Sequence, residues 1–355
     1  MNNKLTTKKF SCYIIIALCS LLIVSCSGKF NPAPLPLTVR QNLSLLQADP
    51  QFVMYFNFKR MRETGFWKEF ISDSLFSSER NFGNFLGILN KATGVSISNG
   101  IDELYFSNSW IGENALVVKG TFDKKRVEDY VKGDTIFARI SYPNNIIVYK
   151  HTESNFNFYF KDDFTVCGSN YLKQIENTFS VSDTSNAGLL TNANALKDIE
   201  RIKYKENLWM FSSQKLFIRG IFENFADVNK GKQNRMPGGE KDSLVTDTTE
   251  QDSESKLFEV YKKINAVSFS LKMSDELEIV MQNECEDEVS AGDLKNRVEA
   301  VVALAKISST FSKKKPSEII KLLDKVDISV FDKTVLLDVK LNEDEIKEIR
   351  NQKLF

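Results

Sequence analysis

The sequence has little of what most catalytic and metal-binding sites require. Its 355 residues include one histidine, His151, and five cysteines. A Ser-His-Asp or Cys-His mechanism would have to use that one imidazole, which follows a predicted strand and has no nucleophile-elbow sequence beside it. Zinc needs three or four nitrogen or sulfur ligands, and the usual Gly-rich phosphate loops do not occur. We therefore predict a protein that is not an enzyme, with no catalytic, metal or cofactor-binding residues.

The sequence also lacks an excess of basic charge. Lys and Arg number 47, and so do Asp and Glu. Residues 1–25 hold three of the lysines and no acid, so removal of this segment would leave three more acids than bases. Because an extended polyanion needs a basic stripe on its partner, we expect no nucleic-acid partner.

The apolar run near the N-terminus is too short to span a bilayer. Residues 13–24 form about a dozen mostly apolar residues, whereas a transmembrane helix needs roughly 20. Lys4, Lys8 and Lys9 precede this run, and Ile23-Val24-Ser25-Cys26 end it. A charged leader followed by a short apolar segment is typical of a secretory signal peptide.

The last four of these residues resemble the lipobox of bacterial lipoproteins, over roughly the first 26 residues of the chain. The resemblance implies that residues 1–25 are a signal peptide and that Cys26 receives a thioether-linked diacylglycerol. It also implies that the new amino group can be acylated, with palmitate as a typical chain. By analogy with enterobacterial sorting, Ser27 in place of Asp favours the outer membrane, facing the periplasm. The mature part resembles only secreted bacterial proteins without an assigned activity.

Composition divides the rest of the chain into a tether and two folded units. Residues 26–50 contain the lipidated Cys26 and a segment with three alternating prolines, which favours an extended tether. We predict a first unit over residues 51–183 and a second over residues 184–355. Within the second unit, residues 227–256 contain few large apolar side chains, so we expect a disordered insertion.

Hydrophobic patterning predicts an α+β fold. Helices are predicted to begin at Asp123 and at Asp293, and a third at Asn342, where Glu345 three residues on gives an arrangement close to a capping box. Short strands with alternating apolar and polar residues indicate antiparallel sheets. Each half of the mature chain has the same predicted order: a strand, helices, two strands, a helix, two strands and a helix. We therefore predict two similar units, each an antiparallel sheet with helices packed on one face.

Three short motifs have a weak chemical interpretation. Ser212 and Lys215 match Ser-x-x-Lys, but the companion motifs of penicillin-interacting enzymes are absent. The lysines at 313–315 would suit either anionic lipid headgroups or a turn between helices. An acidic cluster lacks the spacing of a calcium loop, so we interpret it as a solvated turn; it comprises Glu284, Glu286, Asp287 and Glu288.

Two further features leave alternatives open. Cys167 and Cys285 could pair in an oxidising periplasm or remain buried thiols. Many of the 27 phenylalanines lie between residues 52 and 179. They could form an aromatic core, or they could line an apolar groove for an acyl chain or a partner segment.

The overall expectation is a membrane-anchored periplasmic lipoprotein with a non-enzymatic binding or scaffolding role. The membrane is its partner through the lipid anchor, and an envelope protein or lipid is a possible further partner. The first alternative is a carrier of lipid or another hydrophobic ligand that uses the Phe-rich unit. The second is a hydrolase that acts on envelope polymers through carboxylates.

Overall fold

A computed structural model describes residues 34–70, 82–182, 185–202, 206–221, 261–311 and 324–351. Several predictions lie outside these ranges: the signal peptide over residues 1–25, the lipidation site at Cys26, the insertion over residues 227–256 and the lysines at 313–315. They remain predictions. No helix in the described ranges is both long and apolar enough to cross a membrane.

The described residues form one sheet of twelve antiparallel strands, which confirms the α+β class with antiparallel pairing. The strands are β1 (Phe52–Asn57), β2 (Ile101–Asn108), β3 (Asn114–Gly120), β4 (Phe137–Ser141), β5 (Ile147–His151), β6 (Phe156–Phe160), β7 (Thr165–Ser169), β8 (Leu208–Ser212), β9 (Ile264–Met273), β10 (Leu277–Cys285), β11 (Asp327–Phe331) and β12 (Thr334–Leu341).

Helices connect and cover these strands. The labelled α-helices are α1 (Leu37–Leu43), α2 (Phe58–Arg62), α3 (Gly65–Phe70), α4 (Phe82–Thr93), α5 (Lys124–Gly133), α6 (Leu172–Thr178), α7 (Ala193–Arg201), α8 (Glu288–Phe311) and α9 (Glu343–Asn351). Residues 215–221 are also helical, and short 3₁₀ segments span Pro143–Asn145 and Gly188–Thr191.

The sheet is continuous across the middle of the chain. Its strand order is β11-β12-β10-β9-β8-β1-β2-β3-β7-β6-β5-β4. The junction is the antiparallel pair β1–β8, in which Tyr55 lies opposite Trp209. The prediction of a separate sheet for each half was therefore wrong, because the first strands of the two halves hydrogen-bond to each other.

Helices pack on both faces of the sheet, so the prediction of one covered face was also wrong. Successive residues of a strand point to opposite faces, and along β2 Leu104 and Tyr105 belong to different cores. Leu104 lies in the first core, which includes side chains from α2 to α5, such as Leu89 of α4. Tyr105 lies in the second core, which is formed with α1, α6 and α7 and to which Leu43 and Ile199 belong.

The N-terminal part of the fold includes much of the predicted tether. Leu35 and Leu43 are buried in the second core, and residues 37–43 are helical. A Cβ at Gly188, where φ is +52°, would lie 2.4 Å from the backbone oxygens of Ser44 and Leu46. The tether predicted over residues 26–50 therefore ends by residue 35, because leucines within and after the proline segment supply apolar surface to the core.

The helix-start signals agree with the structure in two places and differ in a third. Asp123 caps α5 by accepting a hydrogen bond from the backbone N–H of Arg126. Asn342 and Glu345 form the predicted reciprocal capping box of α9. The long helix α8 begins at Glu288, five residues before the predicted start at Asp293.

Candidate functional site

A cavity with several polar residues in its lining lies between the C-terminal end of α7 and strands of the second half. Its lining includes Asp198, Arg201, Ser268, Gln282, Glu284 and Thr334. The cavity, called here the Gln282 cavity, has about 250 Å³ of empty space, a volume that includes open solvent at its mouth. The strand register places several of the lining residues side by side on the sheet. Gln282 of β10 lies opposite Ser268 of β9, and Glu284 lies between Ala266 and Thr334.

Glu284 is the most extensively bonded side chain of this cavity. It is 7% exposed. The Thr334 hydroxyl donates to one carboxylate oxygen at 2.6 Å, and Lys333 Nζ lies 3.0 Å from the other. Arg201 Nη1 also bonds to this second oxygen. Burial alone would raise the pKa of Glu284, but the bonds from Thr334, Lys333 and Arg201 hold it below its ordinary value, so the carboxylate is ionised at neutral pH.

The pKa of Asp198 is shifted in the opposite direction. Burial, and then the negative charge of Glu284, raise the pKa of this carboxyl, while Arg201, Lys333 and Lys197 act against the shift. The two acids of the cavity therefore differ in proton affinity. A pair of carboxyl groups whose pKa values are pushed apart is one feature of functional sites, although structural ion pairs produce it too.

Gln282 is the unusual member of the cavity. Its side chain is 5% exposed, and its Nε2 has no hydrogen-bond partner among the described residues. On the same face, the buried hydroxyl of Ser270 also lacks a partner within those ranges. An unpaired buried donor costs about 1–3 kcal/mol relative to a satisfied one. Since native proteins rarely retain such groups without cause, the cavity is the candidate functional site of the described chain.

The sequence did not reveal this cavity. Arg201 and Glu284 are 83 positions apart in the chain, and only the fold brings them together. The available signal was the alternation of Ser268 and Ser270 on β9, and of Gln282 and Glu284 on β10. That alternation is the usual mark of a solvated face, but here the face is buried.

The acidic cluster does not form one oxygen site. Glu284 points into the cavity network, whereas Asp287 caps α8 by accepting from the N–H of Ser290 at 2.7 Å. That bond and one from the Ser290 hydroxyl lower the pKa of Asp287. Glu286 and Glu288 are exposed, as a solvated turn requires, while the buried Glu284 is an exception to that interpretation. Among the described residues, no group of three His, Cys, Asp or Glu side chains could hold a metal ion.

Both side chains of the Ser-x-x-Lys motif form hydrogen bonds that stabilise the fold. The Ser212 hydroxyl donates to Gln51 O at 2.6 Å. Lys215 Nζ donates to the backbone oxygens of Lys262 and Ile264, each at 2.7 Å. Burial lowers the pKa of this lysine. These bonds direct the two side chains to different backbone segments and anchor β8 and the following helical residues to their neighbours.

His151 stabilises a hairpin turn. Its Nδ1 lies 3.3 Å from the backbone nitrogen of Ser154 and 2.9 Å from that residue's hydroxyl oxygen. The backbone N–H can only donate, so Nδ1 is an acceptor in this turn. The Phe137 ring and the imidazole are nearly perpendicular, with centroids 5.0 Å apart. The arrangement accounts for the histidine without a chemical role.

Cys167 and Cys285 are free thiols. Both are buried: Cys167 lies in the second core, and Cys285 lies in a separate apolar cluster with Ile264 and Leu294. Burial raises the pKa of each to about 12. The disulfide alternative is therefore not what the structure contains, and neither thiol has the lowered pKa of a reactive cysteine.

The Phe-rich segment supplies core rings that pack on one another. Phe85 meets Phe156 edge to face, with ring centroids 3.9 Å apart. Phe156 stacks on Phe158 at 5.8 Å, and Phe58 packs against Trp67 at 6.0 Å. All five rings are buried, as expected for an aromatic core.

Comparisons with known proteins give little further information. No protein-family model matches the chain, and no curated protein matches it. Solved structures with a similar chain trace include crystal form I of TP0453, at 9% identity and a TM-score of 0.43 over 88% of this chain and 96% of that one. Crystal form III of TP0453 has 9% identity and a TM-score of 0.41 over 88% of this chain and 98% of that one. Likeness at this level supports no inference about function.

Proposed function

We propose that the protein is a lipoprotein of the bacterial envelope, anchored by acyl chains on Cys26 and without catalytic activity. Its folded part, from residue 34 onward, acts as a binding or scaffolding body in the periplasm, most simply on the outer membrane. The observation that carries the proposal is the order of the N-terminal signals: lysines, a dozen mostly apolar residues, then Ile23-Val24-Ser25-Cys26.

The bonding of the reactive side chains favours binding over catalysis. Ser212, Lys215 and His151 are each engaged with backbone groups. The thiols are buried with raised pKa values. By contrast, the Gln282 cavity contains an unpaired donor beside charged groups, which suits recognition of a ligand.

We further propose that the two halves of the sheet are similar units joined at β1–β8. Outward from this junction, one half runs β1-β2-β3-β7-β6 and the other β8-β9-β10-β12-β11. In both halves a helix follows the third strand (α5 or α8), and another follows the strand paired with it (α6 or α9). The first half has two additional strands, β4 and β5. Superposition of the halves in an experimental structure tests this relation, which fails if β1–β3 and β8–β10 superpose only with their helices on opposite faces.

The anchor is tested by membrane fractionation. Acyl chains contribute about 0.8 kcal/mol per buried CH₂ group, so two or three chains hold a protein durably. We expect wild-type protein in the membrane pellet and Cys26→Ala protein in the soluble fraction. Cys167→Ala is the matched control and should remain in the pellet, since that cysteine lies in the core. Sedimentation of Cys26→Ala with membranes would contradict the anchor.

A further inference from the structure

We propose that the Gln282 cavity binds a small carboxylate, which accepts a hydrogen bond from Gln282 Nε2. This inference rests on the binding role proposed above and names the chemistry of a ligand. It is carried by three properties of the cavity: an unpaired buried donor, the balance of charge around it and its size.

The donor is the first property. Gln282 lines the cavity with a side chain that is only 5% exposed, and in the part of the chain that the structure describes its Nε2 has no partner. An amide nitrogen can only donate, so the missing partner must be an acceptor. The guanidinium of Arg201 also lines the cavity and carries five N–H donors in a planar fork that suits carboxylates.

Charge is the second property. Lys197, Arg201 and Lys333 act electrostatically on Asp198, together with Glu284. With both carboxylates ionised, these five groups carry one net positive charge. A ligand with a single negative charge neutralises that excess, whereas a dianion would reverse it and a cation would add to it.

Size is the third property. The empty space of about 250 Å³ includes open solvent at the mouth, so the enclosed part is only a fraction of it. The enclosed part therefore has room for little more than a carboxylate group, and the rest of a ligand would lie at the mouth. Two sources have this chemistry, a free short-chain acid and the C-terminus of a peptide whose remaining residues lie outside the mouth.

The test uses the full chain in detergent, labelled with ¹⁵N, and follows the side-chain amide of Gln282 by NMR. The Gln282→Met variant assigns that signal by its absence. Acetate is titrated at constant ionic strength against sodium chloride, with acetamide as the neutral analogue. We expect a saturable shift with acetate and none with chloride or acetamide. An equal response to chloride, or no saturable response, would mean water or an adventitious ion only and would overturn the proposal.

A second arm distinguishes the two sources. N-acetyl-alanyl-alanine is compared with its C-terminal amide. If the peptide acid saturates the shift at lower concentration than acetate, the ligand is a chain terminus; if acetate saturates first, it is a free acid. If neither produces a saturable shift, the proposal fails. Such a failure leaves the Cys26 fractionation result untouched, so the anchor and the ligand are tested separately.

Variants provide an independent readout. Gln282→Met removes the unpaired donor at similar volume, so the fold should persist, while thermal stabilisation by acetate should disappear. Gln174→Met is the matched control, because its Nε2 donates to Leu45 O and it is not part of the cavity lining. Stabilisation of Gln282→Met equal to that of the wild type would refute the role of this residue.

Discussion

Trp209 at the centre of the sheet provides the sharpest test of the fold. This side chain is 1% exposed, and its ring stacks on Tyr55 with centroids 5.6 Å apart across the β1–β8 junction. Truncation of a buried Trp to Ala costs about 3–5 kcal/mol, to which an aromatic pair contributes about 0.5–1.5 kcal/mol. We expect Trp209→Ala to lower the free energy of unfolding by this amount.

The fall in melting temperature follows from the size of the unit. For domains of 150–250 residues, about 1 kcal/mol corresponds to roughly 2–4 °C, and the lower end applies to a larger unit such as this. The expected fall is therefore about 6–10 °C. Because the first core contains Leu104 from one half and Leu277 from the other, a single transition should move as a whole.

Circular dichroism during urea and thermal unfolding measures both quantities without relying on tryptophan emission. Trp110→Ala is the matched control, since this ring is 47% exposed on the turn between β2 and β3. Its effect should stay within about 0.5 kcal/mol. Equal effects of the two substitutions would refute the central position of Trp209, and two separate transitions would refute the shared core.

Three further predictions concern single side chains. Burial raises the pKa of Glu103 above its ordinary 4.5, so protonation of this side chain favours the folded state, and stability is lost as pH rises through the raised pKa. Glu103→Gln should therefore stabilise the protein at pH 7 but not below pH 4.5, as urea titrations at both pH values will show. Thr334→Val removes the hydroxyl bond to Glu284 and should cost about 1.5–3 kcal/mol at pH 7. Because the lowered pKa of Glu284 supplies stability that disappears as pH falls, this cost should shrink in acid, and a constant cost would be contrary evidence. Gly188→Ala places a Cβ against backbone at positive φ and should lower the melting temperature, whereas Gly133→Ala, with open space around it, should not.

The sequence predicted most local elements, because their signals are local. Alternation of apolar residues in β6 and the capping residues of α5 and α9 act within a few positions, and the structure agrees with them. Strand β4 was missed: Phe137 and Ile140 are three positions apart rather than two, and the strand lies at the sheet edge, where pairing to β5 alone defines it.

Long-range features could not be predicted in the same way. Nothing in the separate patterns of β1 and β8 indicates that the two strands pair, because both have the composition of any central strand. The covering of both faces depends on where α1, α6 and α7 dock, and leucines such as Leu43 fit either face equally well. The buried polar face at Gln282 has the alternation of a solvated strand, so only the structure shows that it is buried and that Gln282 Nε2 lacks a partner among the described residues.

The central claim is that acyl chains on one sulfur atom attach this protein to a membrane. Mass spectrometry of the N-terminal peptide, prepared from the native host, tests it most directly. We predict a peptide that begins at Cys26 and carries a diacylglycerol thioether with or without an additional amide-linked acyl chain. Recovery of an uncleaved leader, or of an unmodified thiol at this position, would contradict the account.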